Sequence, residues 1–432
     1  MPRPNILFLL IDCLRADAVL GQDRGAHTPT LDRLVRSGVA CTQAIASASS
    51  TTPCVASLLT GTYSFVHGLR SIFGLKLNPD IPSLVESFRE HGYYTAAEVS
   101  GPLFPETNLD RGFNTYNFRE GAAYLSTPWG TDFRQRLQNE EFRQPWFLFL
   151  HLWELHHHRH ILPAFRSRRF GRNRYERALS SLDAELARFL AVLPDNTLVV
   201  IHGDHGEHVV KTDFQYRLYR LIRDLTGRKT LKREGHEMDV SEDLVRVPLV
   251  FSMLGDGKDG QNGQNRQNGQ DEIDAQAPLS LPTGKRISQL ARQIDALPTA
   301  LDLVGIPVPS QIHAQSLKPA LLDDTQLGLE AYVEAFLRIR SDQRDQRVGW
   351  RTSEWKYVYA PHNPHLPAEL YHLSDDPSEQ RNLATQHPEV AQLLQRQIED
   401  LQHGPLAATP GLIMTEAEKA EVEKRLTELG YM

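Results

Sequence analysis

Asp12 closes the apolar run Asn5–Ile11, and the apolar run at 198–201 leads into His202-Gly203-Asp204-His205-Gly206-Glu207. In open α/β sheets ligands bind at the carboxyl ends of strands, so acids at two such ends are candidates for one site. A carboxylate from one strand with an Asp-His pair from another offers oxygen, oxygen and nitrogen donors. That set suits manganese, zinc or magnesium better than it suits a soft-metal site. Each signal alone is weak: an Asp-His pair beside a turn is commonly structural, and Asp12 could equally cap its strand. A second stretch, Ser50 to Gly61, sets hydroxyls just ahead of a helix. Thr51 or Thr52 there reads as an N-cap, or as a nucleophile at a helix N-terminus, where backbone N–H groups favour an anionic substrate. An unassisted hydroxyl is a weak nucleophile, and a bound cation would acidify it. Residues 146–160 read WFLFLHLWELHHHRH, with His151, His156, His157, His158 and His160. Such a tract invites a metal-binding reading against the plainer one of solvated loop histidines.

These side chains need a frame. Asn5–Ile11 has the continuous apolar pattern of a central strand buried on both faces. Thr28-Pro29 opens a helix through about Ser37 that Gly38 stops, and Pro53 suits the first turn of another through about Leu59. Further strands are expected at Thr95–Val99, Trp146–Leu152, Thr197–His202 and Val247–Phe251, with helices at Ser83–His91 and Tyr175–Leu190. Strands alternating with amphipathic helices predict an α/β fold with a mostly parallel central sheet covered on both faces. Residues 255–279 are low-complexity Gly, Gln and Asn and read as a solvated loop. A helix resumes near Ile294–Val304, Gly349–Tyr359 alternates like a strand or hairpin, and helices follow at about Pro388–Gln402 and Glu416–Leu429. The expected layout is a catalytic α/β domain at 1–320 and a smaller α+β region at 321–432.

Composition narrows the classes. The 432 residues are 40% hydrophobic, enough for a sizeable core. Lys+Arg 47 against Asp+Glu 54 gives −7, which removes a whole-chain electrostatic case for nucleic-acid binding. No apolar run is long enough for a bilayer span, so an integral membrane protein is not expected. The run Ile6–Ile11 is too short for a signal-peptide core, and Cys13, Cys41 and Cys54 make no disulfide framework, so a reducing cytoplasm is the expected location.

The order of these blocks resembles the sulfatase family of the alkaline phosphatase superfamily over nearly the whole length. PNILFLLIDCLRAD at 4–17 is similar to the family's opening strand and metal-binding acids, and TTPCVASLLTG at 51–61 to its signature C-x-P-S-R-x-S-L-L-T-G. ESFREHGYYTAA at 86–97, DRGFNTY at 110–116, NTLVVIHGDHGE at 196–207 and VRVPLVF at 245–251 match further blocks, as do DALPTALDLVG at 295–305, WKYVY at 355–359 and ELYHLSDDPSEQRNLA at 369–384. The resemblance implies an alkaline phosphatase-like fold and one divalent ion rather than two, bound by Asp12, Thr51, Asp204 and His205. Manganese or zinc is favoured, with calcium and magnesium as alternatives. It also implies His156 as general acid to the leaving oxygen and His236, in Gly235-His236-Glu237, as a contact to the substrate's anionic oxygen.

The departures bear on the reaction. Thr51 stands where the family has the cysteine that is oxidised to formylglycine, and threonine cannot be so converted. Val55 stands for the signature arginine, Cys13 for a second aspartate, and Val99-Ser100-Gly101-Pro102 lacks the family's Lys-x-His. Superfamily members with a threonine there act on phosphoryl esters. The favoured reading is therefore a metal-dependent hydrolase of a small anionic ester (phosphodiester, phosphomonoester or phosphonate ester) with Thr51 as nucleophile. The alternatives are a sulfuric ester hydrolase using unmodified Thr51, a phospho-group transferase, and an inactive binding module. His202 and His208 are candidates for a second metal site. Basic runs at 159–177 and 211–233 follow active-site blocks and are expected to border the pocket, steering anions, a lipid headgroup or a polyanion. Tyr216, Leu218, Tyr219, Leu221 and Leu225 interleave with the second run, as in a lid or a docked helix.

Overall fold

The computed structural model describes residues 3–121, 123–156, 159–209, 235–236, 239–255, 279–335, 346–406 and 411–429. The low-complexity residues 256–278, the basic run at 211–233 with its interleaved tyrosines and leucines, and His157 and His158 lie outside the described residues.

The central sheet has strands β1 (Asn5–Ile11), β2 (Val39–Ile45), β3 (Tyr94–Val99), β4 (Thr115–Phe118), β5 (Trp146–Leu152), β6 (Thr197–Gly203), β7 (Arg246–Met253) and β8 (Lys285–Arg292). Their order is β4-β3-β5-β1-β6-β7-β2-β8. Only β7 is reversed, pairing antiparallel with β6 and β2, so the sheet is mostly parallel, as the alternating pattern predicts. β1 shows why a continuous apolar run makes a central strand. Ile6, Phe8 and Leu10 enter one core with the helices Thr51–Thr60, Leu84–Glu90 and Ala296–Leu303. Leu7, Leu9 and Ile11 enter the core on the opposite face with Pro29–Ser37 and Arg174–Leu190. With a period of two, a strand needs apolar residues at every position when both faces are covered.

Register then positions the acids. Ile11 lies opposite Leu152 of β5 and Gly203 of β6. Asp12 and Asp204, each one residue further on, emerge side by side at the carboxyl edge.

The second sheet is antiparallel, in the order β9 (Ala331–Ala335), β10 (Arg347–Arg351), β11 (Trp355–Tyr359), β12 (Glu369–His372). Gly349–Tyr359 is therefore a hairpin, β10 turning into β11. The helix Pro388–Gln402 seals this sheet with Leu394 and Ile398 against Tyr332, Tyr357 and Leu370, and Tyr63 and Phe65 of the larger unit join the same core. The terminal helix Glu416–Glu428 opens on a Thr415/Glu418 capping box. It returns to the larger unit, where Val422 and Leu426 pack with Ile72, Phe104 and Trp153.

Candidate active site

The helix Thr51–Thr60 is fully buried, carries Pro53 in its first turn and ends at Gly61 in the left-handed region (φ 67). It begins at Thr51, so Pro53 lies in its first turn, as expected. Proline lacks only an N–H that the first turn leaves unbonded anyway, so it fits anywhere in that turn. Thr51 is thus the first helical residue, and its side chain does not cap the helix. Its Oγ1 donates to Asp12 Oδ2 at 3.3 Å and faces His205 Nε2 at 3.3 Å. Thr52 is committed elsewhere, donating to the Pro102 carbonyl at 2.7 Å. Cys54 Sγ, the thiol nearest Thr51 in sequence, donates to the Ala48 carbonyl.

Asp204 Oδ1 accepts the backbone N–H groups of Cys13, at 3.0 Å, and of His205, at 2.7 Å. Among the described residues, its Oδ2 and Oδ1 of Asp12 accept no hydrogen bond, although both side chains are fully buried. His205 Nδ1 lies 2.8 Å from the Gly206 carbonyl and can only donate there, which leaves Nε2 with a lone pair directed at the carboxylates. Asp12, Asp204 and His205 offer ligand atoms within 4.8 Å of one another. Buried carboxylate oxygens without donors, converging with an imidazole lone pair, fit a divalent cation, since buried polar atoms otherwise find partners. The charges agree. Burial, opposed and outweighed by His151, His156 and His205, leaves the Asp12 carboxyl well below the usual range. Burial and the Asp12 charge push Asp204 up. Two buried carboxyl groups face each other across the site, an arrangement that a cation relieves.

Around this centre lie the expected His156 and His236, together with groups to which the sequence assigned no role. His151, on β5, is fully buried. Its Nδ1 donates to the Ser100 carbonyl at 3.0 Å, and Nε2 stands 3.7 Å from Asp12 Oδ2. Period two along β5 sends it inward, but the tract of five histidines masked that signal. His156 is buried and stacked on Trp153 with ring centroids 4.5 Å apart, and it meets His236 edge-on at 5.3 Å. His236 Nδ1 is 3.5 Å from Glu207 Oε2 and 3.7 Å from Cys13 Sγ. Burial alone would raise Glu207, but His236 and Arg159 hold it well below the usual range. Cys13 has φ 60, a conformation that costs a non-glycine residue roughly 1–2 kcal/mol. It is pinned by the Asp204 bond and by Tyr175 Oη donating to its carbonyl at 2.8 Å.

The structure thus brings together Asp12, Thr51, Asp204 and His205, with His156 and His236 alongside. It does not bring in His202 and His208, the candidates for a less favoured second metal site. His202 turns into the core beneath the site, donating from Nδ1 to the Pro248 carbonyl, and burial lowers its pKa to about 4. His208 is taken up by Asp239 and Asp243, which raise it to about 9 against the effect of burial. The basic run at 159–177 borders the site less than expected. Arg159 reaches it through Glu207, at 3.9 Å, whereas Arg172 is paired with Asp23 and Glu176, and Arg177 is buried.

The fold and this edge define an alkaline phosphatase-like sulfatase architecture. A phosphonate monoester hydrolase of Agrobacterium radiobacter superimposes with TM-score 0.67 at 17% identity, covering 92% of this chain and 95% of that one. A 2-O GAG sulfatase does so with TM-score 0.67 at 17% identity, over 92% and 91%. The Sulfatase family model matches residues 4–306, and the chain belongs to that family. A model for the N-sulphoglucosamine sulphohydrolase C-terminal region matches residues 273–404. Among curated proteins, arylsulfatase K of Rattus norvegicus is 24% identical over 221 residues, 49% of this chain and 31% of the relative. That of Danio rerio is 31% identical over 116 residues, 26% of this chain and 22% of the relative. Among the described residues no helix is long and apolar enough to cross a membrane.

Proposed function

We propose that the chain hydrolyses a small anionic ester, a phosphonate or phosphate ester in preference to a sulfate ester, through the hydroxyl of Thr51. The observation that carries this is the position of Thr51 Oγ1, 3.3 Å from both Asp12 Oδ2 and His205 Nε2 at the start of a buried helix. Asp12, Asp204, His205 and Thr51 would hold one divalent ion, manganese or zinc by donor type, with calcium and magnesium as alternatives. When bound, such an ion would lower the pKa of the hydroxyl and neutralise charge on the transferring group.

The chain's own residues supply the rest. The Thr51 oxygen, its proton released to solvent, attacks phosphorus in line, while protonated His156 donates its proton to the departing oxygen. The Thr51 O–P bond forms as the P–O bond to the leaving group breaks. Water then displaces Thr51, giving its proton to His156, which is now the base. His236 contacts a non-bridging oxygen of the substrate. The buried helix start keeps backbone N–H groups directed at that charge without reorganisation.

A phosphorus centre is favoured because threonine bears no sulfur to oxidise, and because Val55 removes the guanidinium that the sulfatase signature supplies. The similarity to arylsulfatase K favours the second reading, a sulfate ester cleaved by unmodified Thr51. Side-by-side assays on an aryl phosphonate monoester, an aryl phosphodiester and an aryl sulfate decide between them. Intact-protein mass after rapid quench is expected to show a phosphonyl or phosphoryl adduct on the peptide holding Thr51. Undiminished turnover by Thr51→Ala on all three substrates would refute the assignment.

A further inference from the structure

Strand β11 carries a lysine where its alternation calls for an apolar side chain. Val358 faces a core formed with Val240, Leu244 and Val245, while Tyr357 faces the opposite one. With a period of two, Lys356 shares the face of Val358, and it is fully buried. A charge there is costly unless it is paired. Lys356 Nζ lies 2.7 Å from Glu379 Oε1 and 3.4 Å from Glu242 Oε1. Arg351 Nη2 lies 3.5 Å from Glu242 Oε2 and donates to Gln43 Oε1 at 3.0 Å. Glu379 Oε2 accepts the Glu242 backbone N–H at 2.7 Å. These groups converge on Glu242, the first residue of the short helix Glu242–Val245. Burial works against the Lys356 charge, but Glu379 and Glu242 outweigh it and raise the pKa above the ordinary lysine value.

That short helix grips the candidate site through its backbone. The Leu244 carbonyl accepts the Gly206 N–H at 2.6 Å, and a Cβ on Gly206 would stand 2.0 Å from the Asp243 carbonyl oxygen, so only glycine allows the approach. The Gly206 carbonyl in turn holds His205 Nδ1. Asp243 pairs with Arg15 at 2.8 Å, and Arg15 donates to the Glu207 carbonyl at 2.7 Å. The Val245 carbonyl accepts the Ala46 N–H at 2.7 Å, on the stretch of chain that runs on to Thr51. We propose that Lys356 is a positioning residue for the Asp204–His205 edge: with Arg351 and Glu379 it fixes Glu242, and the helix Glu242–Val245 fixes the turn from Asp204 to Glu207. The proposal rests on the reading of that edge as the holder of a divalent ion. Apolar packing by Val358 alone is non-directional. The ion pairs and the Glu379 hydrogen bond hold Glu242 by side chain and backbone together, which sets where Leu244 presents its carbonyl. Lys356 acts through Glu242 and not on the substrate.

Manganese titration of the metal-free full-length protein, together with hydrogen exchange of the peptide that holds Gly206, tests this. In Lys356→Met the manganese Kd is expected to rise at least about tenfold, as when other groups that orient metal ligands are lost. Without metal, the Gly206 peptide is expected to exchange at least about tenfold faster, because the turn opens locally. Glu379→Gln keeps an acceptor for the Glu242 N–H, so it is expected to move both readouts in the same direction by less. It serves as the test should Lys356→Met fail to fold. Leu370→Ala, in the core on the opposite face of the small sheet, is expected to lower the urea midpoint and leave both readouts unchanged. Unchanged affinity and exchange in folded Lys356→Met or Glu379→Gln would overturn the inference and leave the proposed function standing. Equal shifts in Leu370→Ala would reduce Lys356 to a stability role and also overturn it. A wild type that binds no manganese would sink the proposed ion site, and the exchange readout alone would then decide the inference.

Discussion

In the proposed mechanism the chemistry turns on Thr51. Thr51→Ser keeps an oxygen at the same helix start and should retain measurable turnover, while Thr51→Ala should lose at least about a thousandfold in kcat, by analogy with loss of other enzymic nucleophiles. His156→Gln should cost about 10²- to 10⁴-fold in kcat on esters with poor leaving groups, and much less where the departing oxygen needs no proton; a leaving-group series reads this out. Asp204→Asn carries a prediction of opposite sign for stability. In metal-free protein it removes one of two facing buried anions, so its urea midpoint should rise above that of the metal-free wild type. Added manganese should stabilise the wild type and leave the variant unchanged. Much of this site was legible in sequence, because Asp12, Asp204 and His205 follow apolar runs and Thr51 precedes a helix. His151 and Glu207 were not. Their roles depend on which neighbours meet across strand ends, and sequence spacing does not carry that.

At the scale of elements, the carboxyl edge is set by three adjacent strands in register, and His156, the proposed general acid, is set by a stack. Trp153 supports His156, and Val422 and Leu426 of the terminal helix, with Met414 just ahead of it, support Trp153. Leu426→Ala should therefore cost roughly 2–5 kcal/mol by urea unfolding, and should lower kcat more than it changes KM as His156 loses its backing. An unchanged kcat would confine that helix to stability. The long buried strands β1, β5, β6 and β7 were readable because each carries a run of mostly apolar residues and the runs are bounded by turns. The strands β2, β4, β8 and β9 were not. β2 carries Thr42 and Gln43 at a bulge, β8 is an edge strand with Lys285, Arg286 and Arg292, and β4 is four residues long. Tertiary pairing supplies what their local pattern lacks.

The whole molecule combines a net charge of −7 with an edge where buried acids, imidazoles and one guanidinium are held close together. Its stability should follow pH through His208. Asp239 and Asp243 raise that imidazole from 6.5 to about 9, so its contribution to the folded state is full below pH 6.5 and fades as pH rises through about 9. His208→Gln should flatten that window in a series of thermal melts, and an unchanged slope would assign the decline to other groups. The central claim is that a cation binds among Asp12, Asp204, His205 and Thr51. Anomalous scattering from crystals of active protein grown with manganese tests it most directly. The account predicts the strongest anomalous peak within coordination distance of the Asp12 and Asp204 carboxylates, His205 Nε2 and Thr51 Oγ1. A fully active crystal with its manganese elsewhere, and none among those four side chains, would contradict it.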